Sequence, residues 1–189
     1  MKTNEPSYFS HHFLIAMPHL QDPNFARTVV YLIEHTDVGA MGLVINRETE
    51  LTLCDVLHQL HPKKAVPAHC HAIPIYAGGP LHPDRGFVLH PHGAHFQSTV
   101  NLGDLAMTTS HDILLEIADQ RGPSRFLMAL GYASWDMGQL EREICDNAWL
   151  VCPARPEVLF DVPLAERLTH ATALLGVDWQ RLSSETGHA

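Results

Sequence analysis

The segment Gly131-Tyr132-Ala133-Ser134-Trp135-Asp136-Met137-Gly138-Gln139-Leu140-Glu141-Arg142-Glu143-Ile144 concentrates more chemistry than any other part of this chain. Gln139 and Glu143 are four residues apart, so a helix opening near Asp136 sets them on one face, one turn apart. The indole N–H of Trp135 requires an acceptor if the ring is buried. Together these groups can form a polar ledge that orients a substrate or clasps a partner protein. They can equally cap backbone groups and pair with Arg142 or Arg47, with Glu141 and Arg142 facing solvent. A second candidate is Gly78-Gly79-Pro80, with Arg85 following in the sequence. Two glycines let a ligand approach the backbone, and free amides beside a guanidinium suit an anion. The alternative is a tight strand exit that needs positive φ. Neither a Walker nor a dinucleotide fingerprint accompanies the glycines, and no cofactor is expected.

Histidine raises the question of metal. His90-x-His92-x-x-His95 and His69-Cys70-His71 are dense enough to coordinate zinc if they converge. Neither has the helical spacing of a His-Glu-x-x-His site, and no Cys-x-x-Cys pair is present. Residues 61–73 read as an exposed loop in which alternating side chains point apart, so surface binding is expected there rather than a structural metal. Cysteines 54, 70, 145 and 152 are expected to be reduced, small buried hydrophobes. Cys145 and Cys152 become neighbours if helix and strand fold back on each other. Ser110 and Ser134 are available as nucleophiles, but no Gly-x-Ser-x-Gly elbow ties either to a base. Ser110 sits where serine ordinarily caps a helix.

The 189 residues fit one domain able to bury its own core. Only 17% of them are charged, and the net charge is −9. An acidic chain whose only basic pair is Lys63-Lys64 repels phosphate backbones, which argues against direct DNA binding. Protonating all 15 histidines would carry the charge from −9 to +6, so charge-dependent behaviour should change between pH 7.5 and 5.5. The longest apolar runs are far shorter than the roughly 20 residues of a membrane helix. No secretory signal is visible at the N-terminus, and a cytoplasmic location without membrane partners is expected.

The elements that must position these residues follow from patterning. Residues 13–17, 28–34, 41–46, 73–77, 86–90, 125–131 and 148–152 read as strands, with 96–101 a further candidate. Asp37 and Gly39 supply the turn of a hairpin whose arms are nearly continuous apolar runs, placing it centrally and covered on both faces. Thr52 with Asp55 opens a helix that stops at His61-Pro62, and Thr109 with Asp112 opens a second that ends at Gly122-Pro123. Asp136 with Gln139 opens a third, and Pro163 starts a last helix ending at Gly176. Strands and about four helices interleave irregularly, which predicts one α+β domain with residues 1–10 as a flexible tail.

In order along the chain, several motifs resemble the AlgH/YqgE family of bacterial proteins. They include Phe13-Leu14-Ile15-Ala16-Met17-Pro18, Asp22-Pro23-Asn24-Phe25, Gly39-Ala40-Met41-Gly42-Leu43-Val44-Ile45-Asn46 and Tyr76-Ala77-Gly78-Gly79-Pro80. The Gly131–Glu143 run, Asn147-Ala148-Trp149-Leu150 and the closing Gly187-His188-Ala189 complete the series. Ser134 and Leu81 depart from the residues usual in the family. The resemblance implies an α+β fold of coiled, branching, mostly antiparallel sheet wrapped by helices. It also implies a label as a transcriptional regulator of exopolysaccharide (alginate) synthesis, with no catalytic residues to carry over.

The leading expectation is a cytoplasmic regulatory protein that acts indirectly through a protein partner. Its ledge comprises Asn46, Gly78, Gly79, Arg85, Trp135, Gln139 and Glu143. The alternative is a small-molecule-binding or hydrolase-like enzyme using the same Gly78-Gly79 and Trp135–Glu143 region.

Overall fold

A computed structural model describes residues 8–185. The first seven residues of the expected tail and the closing Gly187-His188-Ala189 motif lie outside that range. Residues 8–10 pack onto the domain, with the Phe9 N–H donating to His35 Nδ1 at 3.0 Å and the Tyr8 ring edge-on to the same imidazole.

Within the described residues ten strands form one sheet: β1 (His12–Ala16), β2 (Val29–Thr36), β3 (Gly39–Val44), β4 (Glu48–Thr52), β5 (Pro74–Ala77), β6 (Leu81–Pro91), β7 (Thr99–Leu102), β8 (Leu105–Thr108), β9 (Leu127–Asp136) and β10 (Trp149–Pro153). The main path runs β10-β1-β2-β3-β9-β6-β8-β7, with the β4–β5 pair branching from β9. All pairings are antiparallel except β5 with β9. The β2–β3 hairpin is central, as its continuous apolar arms require, with a separate apolar cluster on each face.

Among the described residues six α-helices wrap the sheet: α1 (Leu53–Leu60), α2 (Asp112–Ala118), α3 (Gln139–Cys145), α4 (Pro156–Phe160), α5 (Arg167–Ala173) and α6 (Trp179–Glu185). Among the described residues none is long and apolar enough to cross a membrane. Helices α4, α5 and α6 cover one face through Leu159, Leu168, Ala171 and Trp179, and α3 covers a second apolar cluster. Helices α1 and α2 cover a third through Leu53, Leu57, Ile113 and Ile117.

The structure differs from the sequence patterning where elements are short or polar. The expected last helix is a 3-10 turn (Leu164–Glu166) followed by α5, and α4 and α6 are additional. β4 is mostly exposed and polar and carries no strand signature, yet β5 gives it hydrogen-bonding partners. The candidate strand at 96–101 is part of the β7–β8 hairpin, turned at Gly103-Asp104. Asp55 Oδ2 accepts from the Thr52 N–H at 2.8 Å, so α1 opens as expected. Asp112 instead takes the Ser110 hydroxyl and the Gln97 N–H, so the hydroxyl partner is Ser110 rather than Thr109.

Candidate functional site

Glu143 is the centre of the polar group that the sequence singles out. Its Oε2 accepts the indole N–H groups of Trp135 at 2.9 Å and Trp149 at 2.8 Å, and its Oε1 accepts Gln139 Nε2 at 2.8 Å. Gln139 Oε1 reaches back to the Asp136 N–H at 3.0 Å. The two indoles are 4% and 3% exposed and meet edge to face, with Phe25 against both. The carboxylate therefore bolts α3 to β9 and β10, and the amide tightens the entrance to the helix. Arg47 does not join this group; its guanidinium donates to the carbonyls of Pro23, Asn24 and Ala26 and holds that loop. Nor is Glu141 simply solvated, since His35 Nε2 lies 3.0 Å from its carboxylate. Partial burial raises the pKa of Glu141, but its backbone hydrogen bond and the imidazole N–H outweigh this and hold it below the usual carboxylate range.

Gly78 and Gly79 stand at the fork in the sheet. β6 pairs with β9 from Leu127 to Tyr132, while β5 and then β3 share the opposite edge. The chain crosses between them at Gly78, whose N–H donates to Leu130 O while its own carbonyl accepts from Val44 N–H, both at 2.7 Å. A Cβ on Gly79 would lie 2.1 Å from the Tyr132 carbonyl carbon, and one on Gly131 would lie 2.6 Å from Gly79 O. Gly131 has φ +74°, and the face alternation of β9 resets there. Leu127 and Ala129 face the first cluster, but Ala133 and Trp135 face the second. The Gly78 amide is thus spent on a backbone hydrogen bond, and Gly79 is packed against the Tyr132–Ala133 backbone.

Asn46 is a strut: its Oδ1 accepts the Val29 N–H at 2.8 Å and its Nδ2 donates to Arg27 O at 2.9 Å. Arg85 is exposed and lies 5.4 Å over the Phe87 ring. The structure brings Trp135, Gln139 and Glu143 into one group and sets Gly78 and Gly79 against the strand that carries Trp135. No hydrogen bond joins Asn46 or Arg85 to that group among those observed in the described residues.

What faces outward beside the group is apolar. Gly39 pairs with Asp136, so the next residues out, Val38 and Met137, stand opposite each other at the ends of β3 and β9. They are 77% and 70% exposed. Beneath Val38 lies an open hollow of about 200 Å³ lined by Glu34, Thr36, Met41 and Trp135 among others. Asp37 and Asp136 are exposed beside the apolar pair. Gly39 is required here, with φ +138° and a Cβ position 2.4 Å from Trp135 O.

The AlgH-like family profile (DUF179) matches residues 13–180, which include both the fork and the Glu143 group. The chain belongs to the AlgH-like family. It is 59% identical to a UPF0301 protein of Pseudomonas paraeruginosa and 58% identical to the UPF0301 protein AlgH of Pseudomonas aeruginosa, in each case over the whole of both chains. The solution structure of AlgH from Pseudomonas aeruginosa superposes with a TM-score of 0.82 at 58% identity, covering 100% of each chain. A crystal structure from Corynebacterium diphtheriae shares the fold, with a TM-score of 0.74 at 23% identity over 97% of this chain and 94% of that one.

In this AlgH-like protein residues 61–73 are mostly exposed, as expected, with Cys70 the buried exception among them. Ala68–Ala72 forms a 3-10 turn with Cys70 in the core, because Cys70 joins the cluster under α1 and α2. The Cys54 thiol lies 3.3 Å from His71 Nε2 and 3.5 Å from His58 Nδ1. Among the described residues no group of three or more His, Cys, Asp or Glu side chains is arranged to hold a metal ion. All four cysteines are free; Cys145 is exposed on α3 and Cys152 is buried beneath Ala171, so they do not pair. Burial pushes the Cys152 thiol up to about 11, which keeps it protonated and unreactive. Sequence reasoning missed Arg167, a buried cation that donates to Ile45 O, Val162 O and the Tyr76 hydroxyl. Its place between Leu164 and Ala171 on the apolar stripe of the expected last helix was the available signal.

Proposed function

We propose that this protein is a non-catalytic regulatory protein that acts on transcription indirectly, through a protein partner docked on the Val38–Met137 tip. The observation that carries this is an exposed apolar pair beside a hollow lined in part by Met41 and Trp135, with carboxylates around it. Hot-spot surfaces combine such an apolar anchor point with a polar rim. The rim here is acidic (Glu34, Asp37 and Asp136), so the partner it fits presents an apolar side chain flanked by Lys or Arg. A net charge of −9 weighs against reading DNA directly. Saturation of Glu143 by three donors weighs against its serving as an acid, base or nucleophile.

Charge reversal at Glu143 cannot test this reading, because it would unlatch α3. The suitable test places a photo-crosslinking residue at position 38 in living cells, with the same residue at exposed Val100 as reference. A defined partner should cross-link from position 38 only, and Met137→Lys or Asp37→Lys should abolish it while the folded spectrum is unchanged. Identical cross-linking from both positions, or capture of a second copy of this chain, would overturn the proposal.

A further inference from the structure

A cleft remote from the Val38–Met137 tip has the build of a small-molecule site. Residues of α1 and α2 together with β4, β6 and β9 line a groove of about 450 Å³ between Leu51, Val56, Leu60, Pro83, Leu114 and Leu130. Ligand pockets commonly fall between roughly 300 and 1,000 Å³. Beside the groove lies a small, mostly apolar slot of about 50 Å³ lined by Ile75, Val88 and Met128 and by the Thr108–His111 segment. Both are lined by Val56, Gly86, His111, Leu114 and Leu130, so they lie side by side with Gly86 between them.

Gly86 is the informative residue. Its φ is not in the left-handed region, and a Cβ built on it would find its nearest neighbour, Leu130 Cδ2, 3.9 Å away. Neither backbone conformation nor packing demands glycine at this point in β6, in contrast to Gly78, Gly79 and Gly131. What the missing side chain does is leave room where groove and slot adjoin. At the mouth stand two carboxylates, Asp55 and Asp84, both exposed. The hydrogen bonds that Thr52 gives Asp55 hold its carboxyl below the usual range, so it is ionised at neutral pH. Arg85 lies over Phe87 and is not among the residues lining the groove.

We infer that this cleft binds a cationic amphiphile, a small molecule whose single apolar chain enters past Gly86 and whose ammonium head meets Asp55 and Asp84. The narrow slot accepts one chain rather than a fused ring system, and the acidic mouth selects the sign of the head.

The test uses octylammonium, octanoate and octanol as probes of the full-length protein at pH 8, where imidazoles are neutral. Amide chemical shifts should move saturably with octylammonium around Val56, Gly86, Leu114 and Leu130, and octanoate should bind at least about fivefold more weakly. Gly86→Leu should abolish binding with the rest of the spectrum intact. Asp84→Lys, an exposed change that does not touch the core, should weaken octylammonium about fivefold and leave octanol unchanged. Equal binding of octanoate and octylammonium, absence of saturable shifts at these amides, or full affinity in both variants would overturn the inference. The cross-linking at position 38 is independent of each of these outcomes.

Discussion

Replacing Glu143 with alanine should destabilise the protein by about 3–5 kcal/mol, and replacing it with glutamine by only about 1–2 kcal/mol. Alanine removes both carboxylate oxygens. Two buried indole donors, now bonded at 2.9 and 2.8 Å, are then left without an acceptor, as is the Gln139 amide. A hydrogen bond to a charged acceptor contributes about 1.5–3 kcal/mol, and stranding a buried donor costs about 1–3 kcal/mol. Two indole bonds therefore set the scale, with the third partly replaced by water because Gln139 is only half-buried. Glutamine keeps one oxygen, which can serve both indoles. Its amide nitrogen then faces the Gln139 nitrogen, whose own oxygen is held by the Asp136 N–H, and that conflict is the residual cost.

The assay is urea unfolding followed by tryptophan fluorescence, which reports directly because two of the three tryptophans are Trp135 and Trp149. In a chain of this length each kcal/mol corresponds to about 2–4 °C in melting temperature. The alanine variant should thus melt about 6–20 °C lower. Removing one donor first, by Trp149→Phe, should shrink the cost of the later alanine change by at least about 1 kcal/mol. An alanine variant within about 1 kcal/mol of wild type, or a glutamine variant as damaging as alanine, would refute the claim that this carboxylate anchors α3.

Gly79→Ala should prevent soluble folding or cost more than about 3 kcal/mol, since its Cβ would overlap the Tyr132 backbone, whereas Gly86→Ala should stay within about 1 kcal/mol of wild type. Equal stabilities in urea would contradict the role assigned to the fork. Fully buried His90 donates from Nδ1 to Pro91 O and accepts the Thr108 hydroxyl at Nε2, and burial lowers its pKa below the ordinary value. The unfolded chain therefore binds the extra proton first, so this contribution is present above about pH 6.5 and is lost as pH falls from there toward the depressed folded value. His90→Gln should accordingly flatten the decline in stability between pH 7.5 and 5.5, and an unchanged slope would exclude His90 as a source of it. Arg167→Lys should cost about 2–4 kcal/mol despite keeping the charge, because a single ammonium cannot reach the Ile45, Val162 and Tyr76 oxygens together. Wild-type stability in that variant would show that the planar fork is dispensable.

Local chemistry was legible wherever partners lie within a few residues. The Asp37–Gly39 turn, the Thr52–Asp55 cap and the reach of Gln139 back to Asp136 all follow from short-range hydrogen bonding. The apolar runs of β2 and β3 likewise announced a central hairpin, because a strand covered on both faces has no polar side. The order of motifs pointed to the family, and with it to a branched sheet. β4 was not legible as a strand because it is polar and takes its hydrogen bonds from β5, and β8 was not read because its short run follows directly on the Gly103-Asp104 turn that pairs it with β7.

The sequence by itself determined that Trp135 needs an acceptor and that Gly78-Gly79 marks a place where backbone comes close. Only the tertiary structure decided what comes close. The acceptor is Glu143, shared with Trp149, and the backbone is that of Gly131 to Ala133, distant in sequence. The physical reason is that hydrogen-bonding need and steric room are properties of a single residue, whereas the group that meets them is chosen by strand pairing across the whole chain. The exposed tip at Val38 and Met137 and the room left at Gly86 belong to that second kind. They exist because distant segments met and left those positions uncovered.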